Sequence, residues 1–247
     1  MAASKRLARR RRKRGRKLLL FLLSVVALYF FFNSSFFSLA DIEVEGAQKV
    51  KPEEIRSLAG VNPGVNLWHL ELKKIEDRLA THPLVDEVSV RRLWPRGLII
   101  RIKERQPLAM VNAPDAGFLV LDAEGVVMQR LDKVGQMNLP LITGVKIPRE
   151  ESGLGAQVKS PGLHESLAVL TDMTPNDRGQ VIEINCTRPE DLRLFLAGGV
   201  EVRFGDSSRV REKLDQIREI LTQAGQQKAI AYIDVSFVGP PVIKFRP

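Results

Sequence analysis

The N-terminus joins a dense basic cluster directly to an apolar segment, and this junction constrains the chain more than any other feature. Ten of the first seventeen residues are Lys or Arg, whereas no acidic residue occurs before Asp41. Residues 18–32 (LLLFLLSVVALYFFF) follow without a break. Basic residues beside an apolar segment resist translocation and stay in the cytoplasm. We therefore predict a cytoplasmic tail at residues 1–17 and an exported body.

The basic tail also accounts for the positive charge of the whole chain. The chain has 38 basic and 29 acidic residues, a net charge of +9; removing the ten basic residues of the tail leaves 28 against 29, or −1. Nucleic-acid-binding domains carry their excess charge on a folded face. Here the excess lies beside an apolar segment, where anionic lipid is the expected contact. We therefore expect no nucleic-acid partner.

Residues 18–38 are predicted to form a single transmembrane helix. A span needs about 20 residues, and residues 18–37 supply that length, with polar residues 33–35 near the outer interface. A cleavable signal peptide is the alternative, because residues 38–40 (SLA) place small residues where a signal peptidase reads. A mature N-terminus at Asp41 would favour cleavage.

Residues 39–107 are predicted to form a small domain with the element order β-α-α-β-β. Residues 41–45 alternate between apolar and polar, as in a half-buried strand. Pro52 suits the first turn of a helix and Gly60 suits its end. The same kind of pattern predicts a second helix and two strands, at residues 72–79, 85–92 and 98–103.

Residues 108–247 are predicted to form a second, strand-rich domain. Two helices are expected in it, one at residues 162–171 and one after Asp206, whose apolar positions are Val210, Leu214, Ile217 and Leu221. The alternation of apolar residues predicts strands at residues 118–121, 126–129, 181–184, 192–196, 200–204, 231–237 and 242–245. The fold class is therefore α+β.

The sequence offers no candidate catalytic, metal-binding or cofactor-binding residue. His69, His82 and His164 are far apart and fit no metal-ligand spacing. Cys186 stands alone within an apolar alternation, which is typical of a small core residue. Asp177 lies in a Pro-containing loop and is expected to be solvated. We expect neither enzymatic activity nor a small-molecule substrate.

Several segments, taken in order, resemble the FtsQ/DivIB family of bacterial division proteins. Residues 91–109 (RRLWPRGLIIRIKERQPLA) resemble the end of that family's POTRA module, and residues 42–46 and 83–90 resemble its earlier strands. Residues 119–127 (LVLDAEGVV) resemble the opening of the family's β domain, and residues 192–205 and 232–235 its last part. The resemblance implies a transmembrane helix, a POTRA domain at residues 39–107 and a β domain at residues 108–247.

The resemblance also implies a function. Members of the family are single-pass inner-membrane proteins with a periplasmic body, and they act as non-enzymatic scaffolds of the divisome at the septum. The implied partners are FtsB, FtsL and other division proteins. A POTRA-containing envelope transport or assembly component is the alternative, but only about 140 residues follow the module and two amphipathic helices lie among them, which disfavours that class.

The predicted partner-binding site lies on the last hairpin. A C-terminal strand that pairs on one side only leaves an edge that can accept a partner strand. By resemblance, the family's partner contacts fall on Tyr232, Ser236, Phe237, Gly239, Pro240 and Phe245. This chain departs from the family pattern, because Ser236 stands where the family has an arginine. Core packing is the alternative role for the two phenylalanines, whereas Trp94 is expected to pack within its own module.

Overall fold

The computed structural model describes residues 2–113, 117–133, 137–224 and 229–246. The chain divides into two compact units. The first comprises residues 1–81 and 85–104, and the second comprises residues 82–84 and 105–247. The change from one unit to the other after residue 104 lies three residues before the domain boundary predicted from the sequence.

The chain begins with helix α1, Ala2–Phe32, followed by a short 3-10 helix at Ser35–Phe37. Helix α1 thus ends at Phe32, before residue 38, the end of the transmembrane helix predicted from the sequence. Polar side chains just after Phe32 donate hydrogen bonds to the last carbonyl groups of the helix. Asn33 Nδ2 donates to Tyr29 O at 2.9 Å, and Ser34 Oγ donates to Phe31 O at 2.7 Å. Within the described part of the chain, no helix combines the length and the apolar character that a membrane crossing requires.

The first unit has the predicted β-α-α-β-β order. Its elements are β1 (Asp41–Glu45), α2 (Pro52–Ala59), α3 (Leu72–Leu79), β2 (Val85–Leu93) and β3 (Gly97–Glu104). The strand order is β1-β3-β2, with β1 parallel and β2 antiparallel to β3. The core side chains of the sheet and the helices include Ile55, Ile75, Leu79, Leu98 and Ile100.

Local sequence signals set the ends of α2. Pro52 occupies the first helical turn, where its missing N–H costs nothing. Gly60 ends the helix in the left-handed conformation at φ +61°, which glycine adopts without steric cost. The two residues therefore act as the sequence predicts.

The second unit contains a nine-stranded sheet. Its strands are β4 (Ala109–Ala113), β5 (Gly117–Leu121), β6 (Val127–Leu131), β7 (Leu141–Thr143), β8 (Val181–Asn185), β9 (Leu192–Leu196), β10 (Glu201–Gly205), β11 (Ile230–Asp234) and β12 (Val242–Phe245). The order across the sheet is β12-β11-β10-β9-β8-β7-β4-β5-β6. Strands β4 and β7 were not among those predicted from the sequence.

Three helices accompany this sheet: α4 (Pro161–Asp172), α5 (Pro175–Arg178) and α6 (Val210–Ala224). The apolar sides of α4 and α6 pack into one core cluster with one face of the sheet. Val210, Leu214 and Ile217 are buried as predicted, and Leu221 is partly buried against the same cluster.

Two predictions for the second unit were wrong in detail. Residues 175–178 form the short helix α5, and Asp177 accepts a hydrogen bond from Arg218 Nη2 at 2.9 Å, so its carboxylate is not simply solvated. The strand predicted at residues 231–237 ends at Asp234. Its end is set by the Asp234 carboxylate, which accepts from the backbone N–H of Ser236 at 3.1 Å and turns the chain.

Candidate functional site

Strand β12 is the outermost strand of the second sheet. It pairs with β11 alone, antiparallel, with Ile233 opposite Ile243 and Asp234 opposite Val242. Ile243 is partly buried against the main core and fixes which face of β12 points inward. The strand therefore presents its other backbone edge without a neighbouring strand in the described chain.

The hydrogen-bond direction at the end of β12 identifies the backbone groups on the open edge. The N–H of Arg246 donates to Ala229 O at 2.8 Å, so it points toward β11. Backbone N–H groups alternate in direction along a strand, since residues take turns in pairing with the neighbour. The N–H groups of Ile243 and Phe245 therefore face away from β11 and are the donors available to an added strand.

Two exposed aromatic rings flank this edge. Phe237 follows β11 and is 44% exposed, and Phe245 ends β12 and is 41% exposed. Neither ring belongs to the described core clusters. Val238, at the tip of the same hairpin, is also exposed. The two phenylalanines are therefore partly exposed, and the hairpin carries an apolar surface.

Tyr232 lies on the other side of the pleat, between two cations. The Arg203 guanidinium is 4.2 Å from the centre of its ring, and the Lys244 ammonium is 6.0 Å from it. Arg203 Nη1 also lies 3.9 Å from Asp234 Oδ2. Cations over an aromatic face are attracted by its quadrupole. These contacts join β10, β11 and β12 on one face of the sheet.

The remaining predicted site residues lie in the turn between β11 and β12. Ser236 Oγ donates to Asp234 Oδ1 at 2.6 Å, so its hydroxyl takes part in the turn. Gly239 has φ +141°, a backbone conformation in which any residue other than glycine would be strained. Pro240, the next residue, is exposed. All six predicted residues therefore lie on one hairpin. The side chain of Tyr232 lies on the face of the sheet opposite that of Ile243.

Sequence reasoning missed Arg203 and Lys244. The chain lacks an arginine at position 236, yet Arg203 supplies a guanidinium to the same end of the sheet from β10. The sequence of the hairpin does not predict the position of Arg203, because Arg203 lies on β10. Strands β10 and β11 pair in parallel and are connected in sequence by helix α6. Lys244 was visible as the polar residue of the last strand, since it alternates with Ile243 and Phe245.

The other candidate side chains do not form a metal centre in the ranges that the structure describes. No group of three or more His, Cys, Asp or Glu side chains there is arranged to hold a metal ion. Cys186 is buried, and burial raises the pKa of its thiol, which keeps it protonated. Its Sγ lies 3.2 Å from Thr143 O, consistent with a thiol donor inside the core.

Two family models match the chain in the order of its two units. The "POTRA domain, FtsQ-type" matches residues 37–105, and the "Cell division protein FtsQ/DivIB, C-terminal" matches residues 109–236. The second match alone spans more than half of the chain. This chain belongs to the FtsQ/DivIB family. The family assignment confirms the resemblance found in the sequence and identifies the part of the first unit that follows α1 as a POTRA domain.

Relatives of this FtsQ/DivIB protein are cell division proteins. The cell division protein FtsQ of Geotalea daltonii is 33% identical over 217 residues, covering 85% of this chain and 77% of that protein. The cell division protein DivIB of Clostridium tetani is 26% identical, covering 84% and 79%. A solved extracytoplasmic domain of DivIB from Geobacillus stearothermophilus is 16% identical, covers 51% of this chain and 98% of its own, and has a TM-score of 0.37. The family and the curated relatives together indicate a role in cell division.

Proposed function

We propose that this FtsQ/DivIB protein is a membrane-anchored scaffold of the divisome that captures a partner strand on the open edge of β12. By the family resemblance, the partners are FtsB and its complex with FtsL. The observation that carries the proposal is the position of β12 as the outermost strand, with exposed Phe237 and Phe245 beside it. Backbone groups on such an edge supply affinity, and neighbouring side chains supply selectivity.

The two phenylalanines are expected to provide most of the binding energy. An interface of this kind concentrates its free energy in a few aromatic anchors, and truncating one costs about 1–3 kcal/mol. Each Phe→Ala change is therefore expected to weaken partner capture by about 5- to 150-fold, since 1.4 kcal/mol corresponds to a factor of ten. Because both residues are exposed and lie outside the described core clusters, the same changes remove less packing than the truncation of a fully buried phenylalanine would.

The proposal is tested by co-purification and titration of the full chain with FtsB and FtsL in detergent. Phe237→Ala and Phe245→Ala are compared with Ile182→Ala, because Ile182 is an exposed apolar residue of β8, in the interior of the same sheet. The proposal requires weak binding for both phenylalanine variants and normal binding for the control. Normal binding by all three variants would exclude the β12 edge as the capture site.

A proline at the end of β12 separates the backbone contribution from the ring. Phe245→Pro removes the ring, as Phe245→Ala does, and also removes the outward N–H. A backbone hydrogen bond contributes about 0.5–1.5 kcal/mol net. Phe245→Pro is therefore expected to bind more weakly than Phe245→Ala by about 2- to 10-fold. Equal affinities for the two variants would mean that the partner contacts the ring without joining the sheet.

We further propose that the apolar part of α1 anchors the protein in the inner membrane, with the basic tail cytoplasmic and the POTRA domain and second unit periplasmic at the septum. Residues 18–23 are all exposed apolar side chains, and basic residues precede them directly. Resistance of the full chain to alkaline extraction from membranes tests the anchor, and a C-terminal alkaline phosphatase fusion tests the orientation. Release of the chain by alkali, or an inactive fusion, would refute the respective part of this proposal.

A further inference from the structure

Six aromatic rings form a continuous cluster where α1 meets the POTRA domain. Neighbouring rings lie with their centroids 4.6–6.1 Å apart, mostly edge to face. We call this cluster the aromatic collar, and its members are Phe31, Phe32, Phe36, Phe37, Trp68 and Trp94. Phe37 is buried at its centre, while Trp68 and Trp94 are 48% and 45% exposed. Both tryptophans are therefore accessible at the surface of the cluster.

Hydrogen bonds to backbone carbonyl groups fasten the end of α1 and the segment after it to the regions that carry the two tryptophans. Asn66 Nδ2 donates to Phe32 O at 2.7 Å, and the N–H of Leu39 donates to Val65 O at 2.8 Å. On the other side, the N–H of Ala40 donates to Arg96 O at 2.8 Å. The collar thus joins the helix to the POTRA domain through a hydrogen-bonded segment.

The exposed side of the collar is continuous with the apolar surface of α1. Phe31 and Phe32 belong to both, and the apolar side chains before them on the helix are exposed as well. Leu93, next to Trp94 at the turn between β2 and β3, extends the apolar surface onto the POTRA domain. One apolar surface therefore runs from the helix onto the end of the domain at which β1 begins.

This surface is better suited to contact with the lipid interface than to exposure to bulk water. Tryptophan is enriched at the boundary between the headgroups and the acyl chains, where its ring is apolar and its N–H can reach water or headgroups. The exposed apolar helix supplies the adjoining layer, because such side chains belong among acyl chains. The change along one surface from aliphatic residues to phenylalanine to tryptophan matches the change in polarity through half a bilayer.

We infer that the aromatic collar seats the POTRA domain directly on the outer lipid interface of the membrane, with Trp68 and Trp94 at headgroup level. This inference rests on the proposed anchoring of α1. It adds that the POTRA domain has a defined lipid-facing end, made of the 3-10 helix Leu67–His69 and the β2–β3 turn. The domain is then held at the membrane surface by this end.

The test uses the tryptophan fluorescence of the full chain, because Trp68 and Trp94 are its two tryptophans. Trp68→Phe leaves Trp94 as the reporter, and Trp94→Phe leaves Trp68. Each variant is reconstituted into phosphatidylcholine–phosphatidylglycerol vesicles in which the phosphatidylcholine is brominated either near the headgroup or deep in the acyl chain. The control combines Trp68→Phe and Trp94→Phe with Glu87→Trp, which places one exposed tryptophan about 20 Å along β2 from Leu93.

The inference predicts loss of emission in both single-tryptophan variants, greater with shallow than with deep bromines, and no loss in the control. Flotation of the vesicles reports separately whether the chain is anchored. Chains that float with unquenched tryptophans would refute the inference but not the membrane anchor. If their emission spectrum also changed with protein concentration, the collar would instead be a contact with a second copy of the chain. Chains that do not float would refute the anchor and the inference together, and quenching of the control to the same extent would refute a defined lipid-facing end.

Discussion

Glu104 fastens the loop between β1 and α2, and its replacement should reveal how much one buried carboxylate stabilises the POTRA domain. Its Oε1 accepts hydrogen bonds from the backbone N–H groups of Gln48, Lys49 and Val50 at 2.7, 2.8 and 3.0 Å. Burial of Glu104 opposes its charged form, but the three N–H donors outweigh it and hold the pKa of the carboxyl below its usual value. The carboxylate is therefore the form that the folded domain selects.

Glu104→Gln should lower the free energy of unfolding by about 1–2 kcal/mol. The amide keeps an oxygen in place but loses the charge, and a hydrogen bond to a charged group is worth about twice a neutral one. The three bonds share a single oxygen, so their losses do not add fully, and the amide is also cheaper to bury. Glu104→Ala leaves the three donors without that acceptor and should cost about 2–4 kcal/mol.

The pH dependence gives the sharper test. A carboxyl with a depressed pKa stabilises the fold above its unfolded pKa of about 4.3 and loses this contribution as the pH falls through the folded value. The stability difference between the natural chain and Glu104→Gln should be constant at neutral pH and shrink below about pH 4.3. Urea denaturation measures the difference, and hydrogen exchange of amides 48–50 reports the loop directly.

The exposed Glu43, on β1 of the same unit, provides the matched control. Glu43→Gln should change stability by less than about 0.5 kcal/mol. The reasoning fails if Glu104→Gln is as stable as the natural chain at pH 7, or if the difference stays unchanged down to pH 3. It also fails if amides 48–50 exchange at the same rate in both proteins.

Substitutions at two further positions test other parts of the packing by thermal and urea denaturation. Gly46→Ala should lower the free energy of unfolding by more than about 3 kcal/mol, because Gly46 has φ +83° and an added Cβ would clash with Ile102 O. A loss under about 1 kcal/mol would contradict this and show that β1 can shift. Lys213 is 1% exposed and donates to Asp206 O and Oδ1 at 2.8 and 2.9 Å, so Lys213→Ala should cost about 2–4 kcal/mol by opening a cavity. Lys213→Met retains most of the aliphatic side chain and should lower the free energy of unfolding by about 1 kcal/mol or less, since the exposed Asp206 carboxylate can be hydrated instead. Equal losses for Lys213→Met and Lys213→Ala would show that the ion pair contributes more than the packing.

The elements that the sequence predicts well are those whose signals are local. Helix α2 begins at Pro52 and ends at Gly60 because both residues act within one turn of the backbone. The three-residue strand β7 has no such signal, since it forms only by pairing in parallel with β4 and β8, which lie far away in the sequence. The role of Glu104 is hidden for the same reason, because its donors are 54–56 residues away.

The candidate site shows the same division between local and distant information. The hairpin and its phenylalanines follow from residues 230–245, and the family resemblance indicates which positions to consider. The guanidinium over Tyr232 comes from β10, which is brought beside β11 by the helix between them. The hairpin sequence alone therefore contains no arginine at position 236, whereas the folded sheet places Arg203 over Tyr232 from another strand.

The open edge of β12 also has to avoid indiscriminate strand pairing. Long, flat, apolar edges bind one another and aggregate, and proteins limit this with short strands, charged residues and prolines. Strand β12 has four residues, carries Lys244, and is preceded by Pro240 and Pro241. So short an edge offers too few backbone bonds to hold an arbitrary strand, because each contributes only about 0.5–1.5 kcal/mol. In the proposed capture of a partner strand, selectivity therefore depends on a partner that also covers Phe237 and Phe245, and the two rings would determine specificity as well as affinity.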